Sequence, residues 1–215
     1  MIRRGAFWPG LLVAAGSLAS IAGPARAQSA TSIEVVSAAY ANGMSPHIVA
    51  SWISETGDAG GRPFIIVDKL SARVLAFDGE GKLVGETNAL LGMAVGDVSP
   101  PGIGEMRLAD IGPAMRITPA GRFEAHLGRN LAGSLILWVD YDEALSLHPV
   151  VTSNASEQRQ HRLSTPTPLD NRISFGCINV PAAFFTEVVV SLFESANGLV
   201  YILPDDPSGG LPLSQ

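Results

Sequence analysis

The sequence predicts one mainly β domain with a single late helix, on three observations. Short runs rich in branched and aromatic residues recur between Pro63 and Leu203. Asp78-Gly79-Glu80-Gly81 supplies a hairpin turn between two of them. A clear helical period appears once, at Phe184, Phe185, Val188, Val189 and Leu192. With 215 residues the chain is long enough for one domain with a sizeable core. The hydrophobic fraction of 47% and charged fraction of 16% exclude a disordered or coiled-coil chain.

In order, residues 1–27 have the form of a signal peptide. Arg3 and Arg4 make a basic start, Leu11 to Gly23 is apolar, and Ala25-Arg26-Ala27 offers a small-x-small cleavage site. The apolar run is short for a bilayer span, so an exported protein of the periplasm or cell envelope with no stable membrane span is expected. Removing the leader takes three arginines and no acid from the formal charge of −6 and leaves −9. With only Lys69 and Lys82 as lysines, a nucleic-acid partner is not expected, because phosphate neutralisation supplies most of that affinity.

Residues 28–61 form a lead. Its weak helical pattern, from Ile33 to Ile53, is interrupted by Gly43 and Pro46, which predicts two short helices. Pro63–Leu70, Arg73–Phe77 and Lys82–Glu86 predict an antiparallel meander. Ser99–Gly104 is loop, and Ile117–Phe123 leads into Glu124–Leu127. Leu135–Val139 is a buried strand, and Ala144–Val151 a further strand carrying His148. Long connections at 92–118 and 154–173 are expected to wall or cover a site. Pro181 suits the first turn of the helix, Gly198 ends it, and Leu199–Leu203 is a last strand.

The chemistry centres on Cys177, the single cysteine. An exported chain with one thiol has no internal disulfide, so the thiol is either a buried inert side chain or a reactive one. Cysteine attacks as the thiolate, so it needs a base or a lowered pKa. His161, sixteen positions upstream, is the expected base, with His148 as its rival. The helix after Pro181 would favour the anion. The N–H groups near Gly176 would form an oxyanion hole. Arg159, Arg162 and Arg172 are either a solvated basic loop or readers of a substrate carboxylate. Metal binding is not expected from four histidines and one cysteine without close ligand spacing. Asp140 and Asp142 fit a solvated turn better than a catalytic carboxylate pair.

These residues resemble the catalytic domain of the L,D-transpeptidases, the YkuD-type fold of bacterial cell-wall enzymes. The likeness rests on a histidine followed by Ser174-Phe175-Gly176-Cys177-Ile178-Asn179, on the strands from Pro63 to Gly92, and on Ile117–Phe123 and Leu199–Leu203. Phe175 stands where histidine is common, Arg162 where glycine follows the base, and Asn179 where arginine is frequent. The resemblance implies a β-sandwich or barrel-like catalytic domain over residues 62–204, with residues 205–215 as a tail. It implies a cysteine acyltransferase in peptidoglycan synthesis, acting on stem peptides without a cofactor. The alternatives are an L,D-carboxypeptidase or amidase, and a non-catalytic wall-binding domain. Cys177 would be the nucleophile, His161 the base, and the Arg162 carbonyl its orienting group. Phe175, Gly176 and Cys177 would line the oxyanion hole. Ser174, Asn179, Arg159, Arg172 and His148 would lie among the substrate-binding residues.

Overall fold

The computed structural model describes residues 45–206. The expected signal peptide, the first of the two expected short helices and the tail beyond Asp206 lie outside the described residues. The fold is mostly β. Eight strands form one sheet, in the order 83–88, 73–77, 64–68, 198–202, 121–129, 135–140, 145–149 and 178–180, and a separate pair joins 91–92 to 172–174.

Helix α1 (Pro46–Thr56) begins where the sequence suggests an interruption. Pro46 is at its first turn, where a missing N–H costs nothing, and Ser45 caps it by accepting from His47 N at 3.3 Å. Gly57, at φ 68°, closes the other end in the left-handed conformation. The meander follows as β1 (Phe64–Asp68), β2 (Arg73–Phe77) and β3 (Leu83–Asn88). Beyond β4 (Leu91–Gly92), the long connection holds three short 3-10 turns before β5 (Gly121–Arg129). β6 (Leu135–Asp140) and β7 (Leu145–Pro149) complete an antiparallel run with β5.

The second long connection carries a four-residue helix α2 (Arg159–Arg162) between short turns. It ends at β8 (Arg172–Ser174), and β9 (Ile178–Val180) begins directly after Cys177. Helix α3 has α-helical ends (Ala182–Phe184 and Ser191–Phe193) and a π-helical middle (Phe185–Val190). Gly198 is the first residue of β10 (Gly198–Ile202), not the end of this helix. A Cβ there would lie 2.3 Å from the Pro63 carbonyl oxygen, so the close approach of β10 to the start of β1 requires glycine.

Strand alternation divides the core. Ile65 and Val67 of β1, with Val200 and Ile202 of β10, face the inside of the sheet. There they meet Leu137, Leu147, Ile178 and the Phe185, Val189 and Phe193 face of α3. The alternate residues Phe64, Ile66, Leu199 and Tyr201 pack outward against Val49, Ala50 and Ile53 of α1. Thus β1 and β10 are buried on both faces, which is why they read as unbroken apolar runs. Phe64 stacks on Phe77, its cross-strand partner, at 4.8 Å between ring centroids. The two outer strands nearly meet. Leu90, just beyond β3, exchanges both backbone hydrogen bonds with Asn179 of β9, at 2.8 and 2.9 Å. This bridge leaves the sheet a nearly closed barrel.

Candidate active site

The site is built by one parallel strand pair. β7 and β9 align Leu147 with Ile178 and His148 with Asn179. Leu147 and Ile178 are fully buried and point into the core. The period of two then puts Ser146, His148, Cys177 and Asn179 together on the opposite face. Cys177 is partly exposed there. Ser146 Oγ lies 3.5 Å from its Sγ, and the Ala144 carbonyl oxygen lies at the same distance. Ala144 holds a left-handed backbone (φ 52°) at the end of a turn tied by Asp140, which accepts from Asp142 N and Glu143 N. That turn is the role of the Asp140 and Asp142 pair.

The imidazole beside the thiol is His148, not His161. Burial alone would push the Cys177 thiol up, but hydrogen bonding to His148, its charge, and then Ser146 bring it below the ordinary range. Burial likewise pulls His148 down. The bond to Cys177, its charge and the Pro149 carbonyl outweigh burial and the opposing Arg159, so the imidazole is held above its usual value. Both directions favour a thiolate facing an imidazolium. His148 Nδ1 is 2.8 Å from the Pro149 carbonyl oxygen, so Nδ1–H donates there and Nε2 turns toward Cys177 and the Asn179 amide, 3.3 Å away. The carbonyl expected to orient the base is that of Arg162. It instead accepts from Thr165 Oγ1 at 2.9 Å. Pro149, next to His148, supplies the orienting carbonyl.

His161 is exposed on α2. It borders an open groove of about 510 Å³ with Thr152, Asn154, Gln158 and Arg159. The helix expected to stabilise the thiolate is also displaced. The three extended residues of β9 and then Pro181 separate Cys177 from Ala182, the first residue of α3, a span of about 15 Å that outruns a helix-end field.

The expected substrate contacts are mostly internal. Asn179, 1% exposed, accepts from Arg159 at 2.8 Å through Oδ1, and its amide faces His148 and the Cys177 carbonyl. Arg159 is further paired with Glu157. Arg162 donates to the carbonyls of Glu157 and Asp170 at 2.8 and 2.7 Å. Arg172 pairs with the buried Asp205. Ser174, 2% exposed, donates to the Cys177 carbonyl at 2.6 Å and accepts from Gly176 N at 3.1 Å. Arg159, Arg172, Ser174 and Asn179 are thus engaged by partners within the chain.

The Gly176 N–H is committed to Ser174, so two of the three expected oxyanion donors, Phe175 and Cys177, are left. Gly176 itself has φ 133°, and a Cβ would lie 2.7 Å from the Ile117 carbonyl oxygen. Its own carbonyl accepts from Thr118 Oγ1 at 2.7 Å, and that hydroxyl accepts from Gly92 N at 2.8 Å. In a trans peptide the Cys177 N–H points opposite to the Gly176 carbonyl, so Thr118 fixes the direction of this donor. Nothing in the chemistry of Thr118 marks it in the sequence; its place on the chain, in Ile117–Phe123, lies far from Cys177. Thr118→Val keeps the shape and removes the hydroxyl. It is expected to lower the acylation rate of Cys177 by about ten- to a hundred-fold, with thiol alkylation by a small neutral reagent little changed. Stopped-flow acylation checks this.

A cleft of about 90 Å³ opens at the thiol. The 92–118 connection walls it with Ile103, Met106, Leu108 and Ile111, and Phe175 and Leu145 continue the apolar lining. Among the described residues, no group of three or more His, Cys, Asp or Glu side chains converges to hold a metal ion. No helix among them is long and apolar enough to cross a membrane.

No family model and no curated protein matches the chain. Among solved structures it is similar to the LD transpeptidase LdtMt1 in complex with imipenem, at 14% identity and a TM-score of 0.37, over 66% of this chain and 58% of that one. It is also similar to the L,D-transpeptidase (Yku) from Stackebrandtia nassauensis, at 13% identity and a TM-score of 0.38, over 67% of this chain and 58% of that one. The chain thus spans less than two thirds of both proteins.

Proposed function

We propose that this protein is an exported cysteine acyltransferase of the cell envelope that acts on peptidoglycan stem peptides by L,D-transpeptidation. The observation that supports the chemistry is the pairing of Cys177 with His148 on one face of β7 and β9. The substrate class rests on the resemblance of Ser174-Phe175-Gly176-Cys177-Ile178-Asn179 to the L,D-transpeptidase motif.

The Cys177 thiolate attacks the carbonyl carbon that follows the L-centre of the stem's diamino acid. The oxyanion that forms is held by the N–H of Cys177, with Phe175 beside it. The His148 imidazolium gives its Nε2 proton to the departing amine, and D-alanine leaves. A thioester on Cys177 and a neutral imidazole remain. The acceptor amine of a second stem attacks the thioester, neutral His148 takes its proton, and the new amide departs as the Cys177 thiolate and the His148 imidazolium are restored.

The test is incubation of the mature protein with purified tetrapeptide stems. D-alanine release with a cross-linked or exchanged product, lost in Cys177→Ala, is expected. Equal product from Cys177→Ala, or no product from the wild type, would contradict the reading. Tripeptide alone, whatever acceptor is added, would select the hydrolase.

A further inference from the structure

We infer that Arg116, packed against two residues that line the cleft, is a carboxylate anchor, so that the site takes peptides presenting a free carboxylate beside the bond that Cys177 attacks. This assignment rests on the proposed nucleophilic role of Cys177. The three arginines nearest in sequence do not serve: Arg159, Arg162 and Arg172 are turned onto Glu157, the Asp170 carbonyl and Asp205. Arg116 is placed differently. Its guanidinium carbon lies 3.8 Å over the centre of the Phe175 ring, two residues before the nucleophile. Its Nε donates to the Ile111 carbonyl at 3.1 Å. Phe175 and Ile111 both line the cleft that ends at Cys177.

The ring and the carbonyl hold the guanidinium flat and fix one edge. The residue is partly buried, and among the described residues no ion pair engages it. A stacked, pre-oriented guanidinium with its remaining donors unpaired suits a planar carboxylate. Glu143 is the one charged side chain among the cleft's lining residues. It repels an anion from its own position, which leaves Arg116 to pair the substrate's carboxylate. The position occupied by Phe175 gains a role: an aromatic face there carries the arginine.

The experiment compares alkylation of Cys177 by iodoacetate, which bears a carboxylate, and by iodoacetamide, which is neutral. It uses the mature wild-type protein, Arg116→Gln and Arg116→Lys, with melting temperatures to confirm folding. The rate ratio, iodoacetate over iodoacetamide, is expected to fall about ten-fold in Arg116→Gln. Arg116→Lys should be intermediate, because it keeps charge and loses the planar fork. An unchanged ratio in a folded Arg116→Gln overturns the assignment while leaving the nucleophile intact. A wild-type thiol inert to both reagents at neutral pH removes the nucleophile, and the anchor falls with it.

Discussion

His148→Gln is expected to slow thioester formation at neutral pH by about a hundred- to ten-thousand-fold, and His161→Gln to change it by less than about two-fold. The difference follows from the strand register. His148 pairs with Asn179 across β7 and β9, which puts its ring on the same face as Cys177. Its charge and hydrogen bond are what outweigh burial and lower the thiol's pKa. Glutamine keeps a polar side chain of similar reach but can neither take a proton nor carry a charge. The thiol then loses its thiolate at neutral pH, and the leaving amine loses its acid. Raising the pH should recover the first loss and not the second, so the variant's rate should climb with pH yet stay below the wild type. His161, on an exposed helix beside an open polar groove, supplies neither function. Single-turnover rates of the two variants decide it. Loss in His161→Gln with His148→Gln near wild type would reverse the assignment.

Lys69→Met is expected to destabilise the fold by about 3–5 kcal/mol, a large share of the total for a domain of this size. The Lys69 side chain is fully buried. Its Nζ donates to Asp97 at 2.6 Å, to the Gly96 carbonyl at 2.7 Å and to the Thr118 carbonyl at 2.9 Å, with Asp205 at 3.3 Å. Asp205 in turn pairs with Arg172 at the start of β8. Methionine fills the volume, so the loss isolates the charge. Asp97 and two carbonyls would be left without their cation, and Asp205 would keep Arg172 alone. The exposed Arg107–Asp110 pair makes the contrast, since removing it should cost under about 1 kcal/mol. The site would feel the change too, because the Thr118 carbonyl held by Lys69 belongs to the residue whose hydroxyl aims the Gly176 peptide. Urea denaturation measures the cost. A value below about 1 kcal/mol would mean the cluster is solvated and contributes little.

The meander and the closing strand were legible because β1, β2 and β10 are apolar on both faces. So was the apolar face of α3, though not its π-helical middle. Cys177 stood out by being the single cysteine of a chain whose start has the form of a signal peptide. The base did not, because distance along the chain is a poor guide across a parallel strand pair. Residues 150–171 loop out between β7 and β8, and the loop carries His161 away while His148 stays on the strand. Arg172 looked free because its partner, Asp205, lies far along the chain, and Arg159 and Arg162 because the loop folds them back onto Glu157 and the Asp170 carbonyl. Short strands such as β4, β8 and β9 have too few residues to show a period. Pro46 was ambiguous because proline both breaks a helix and starts one.

The most direct measurement is a titration of the Cys177 thiolate by its ultraviolet absorbance in the wild type and in His148→Gln. Thiolate should appear in the wild type below the free-thiol pKa of about 8.5. The raised His148 pKa extends the pH range in which an imidazolium faces it. In His148→Gln the step should move upward, since Ser146 alone then opposes burial. A wild-type thiol that ionises only at or above about 8.5, with no change in the variant, would contradict the pairing on which the proposed chemistry depends.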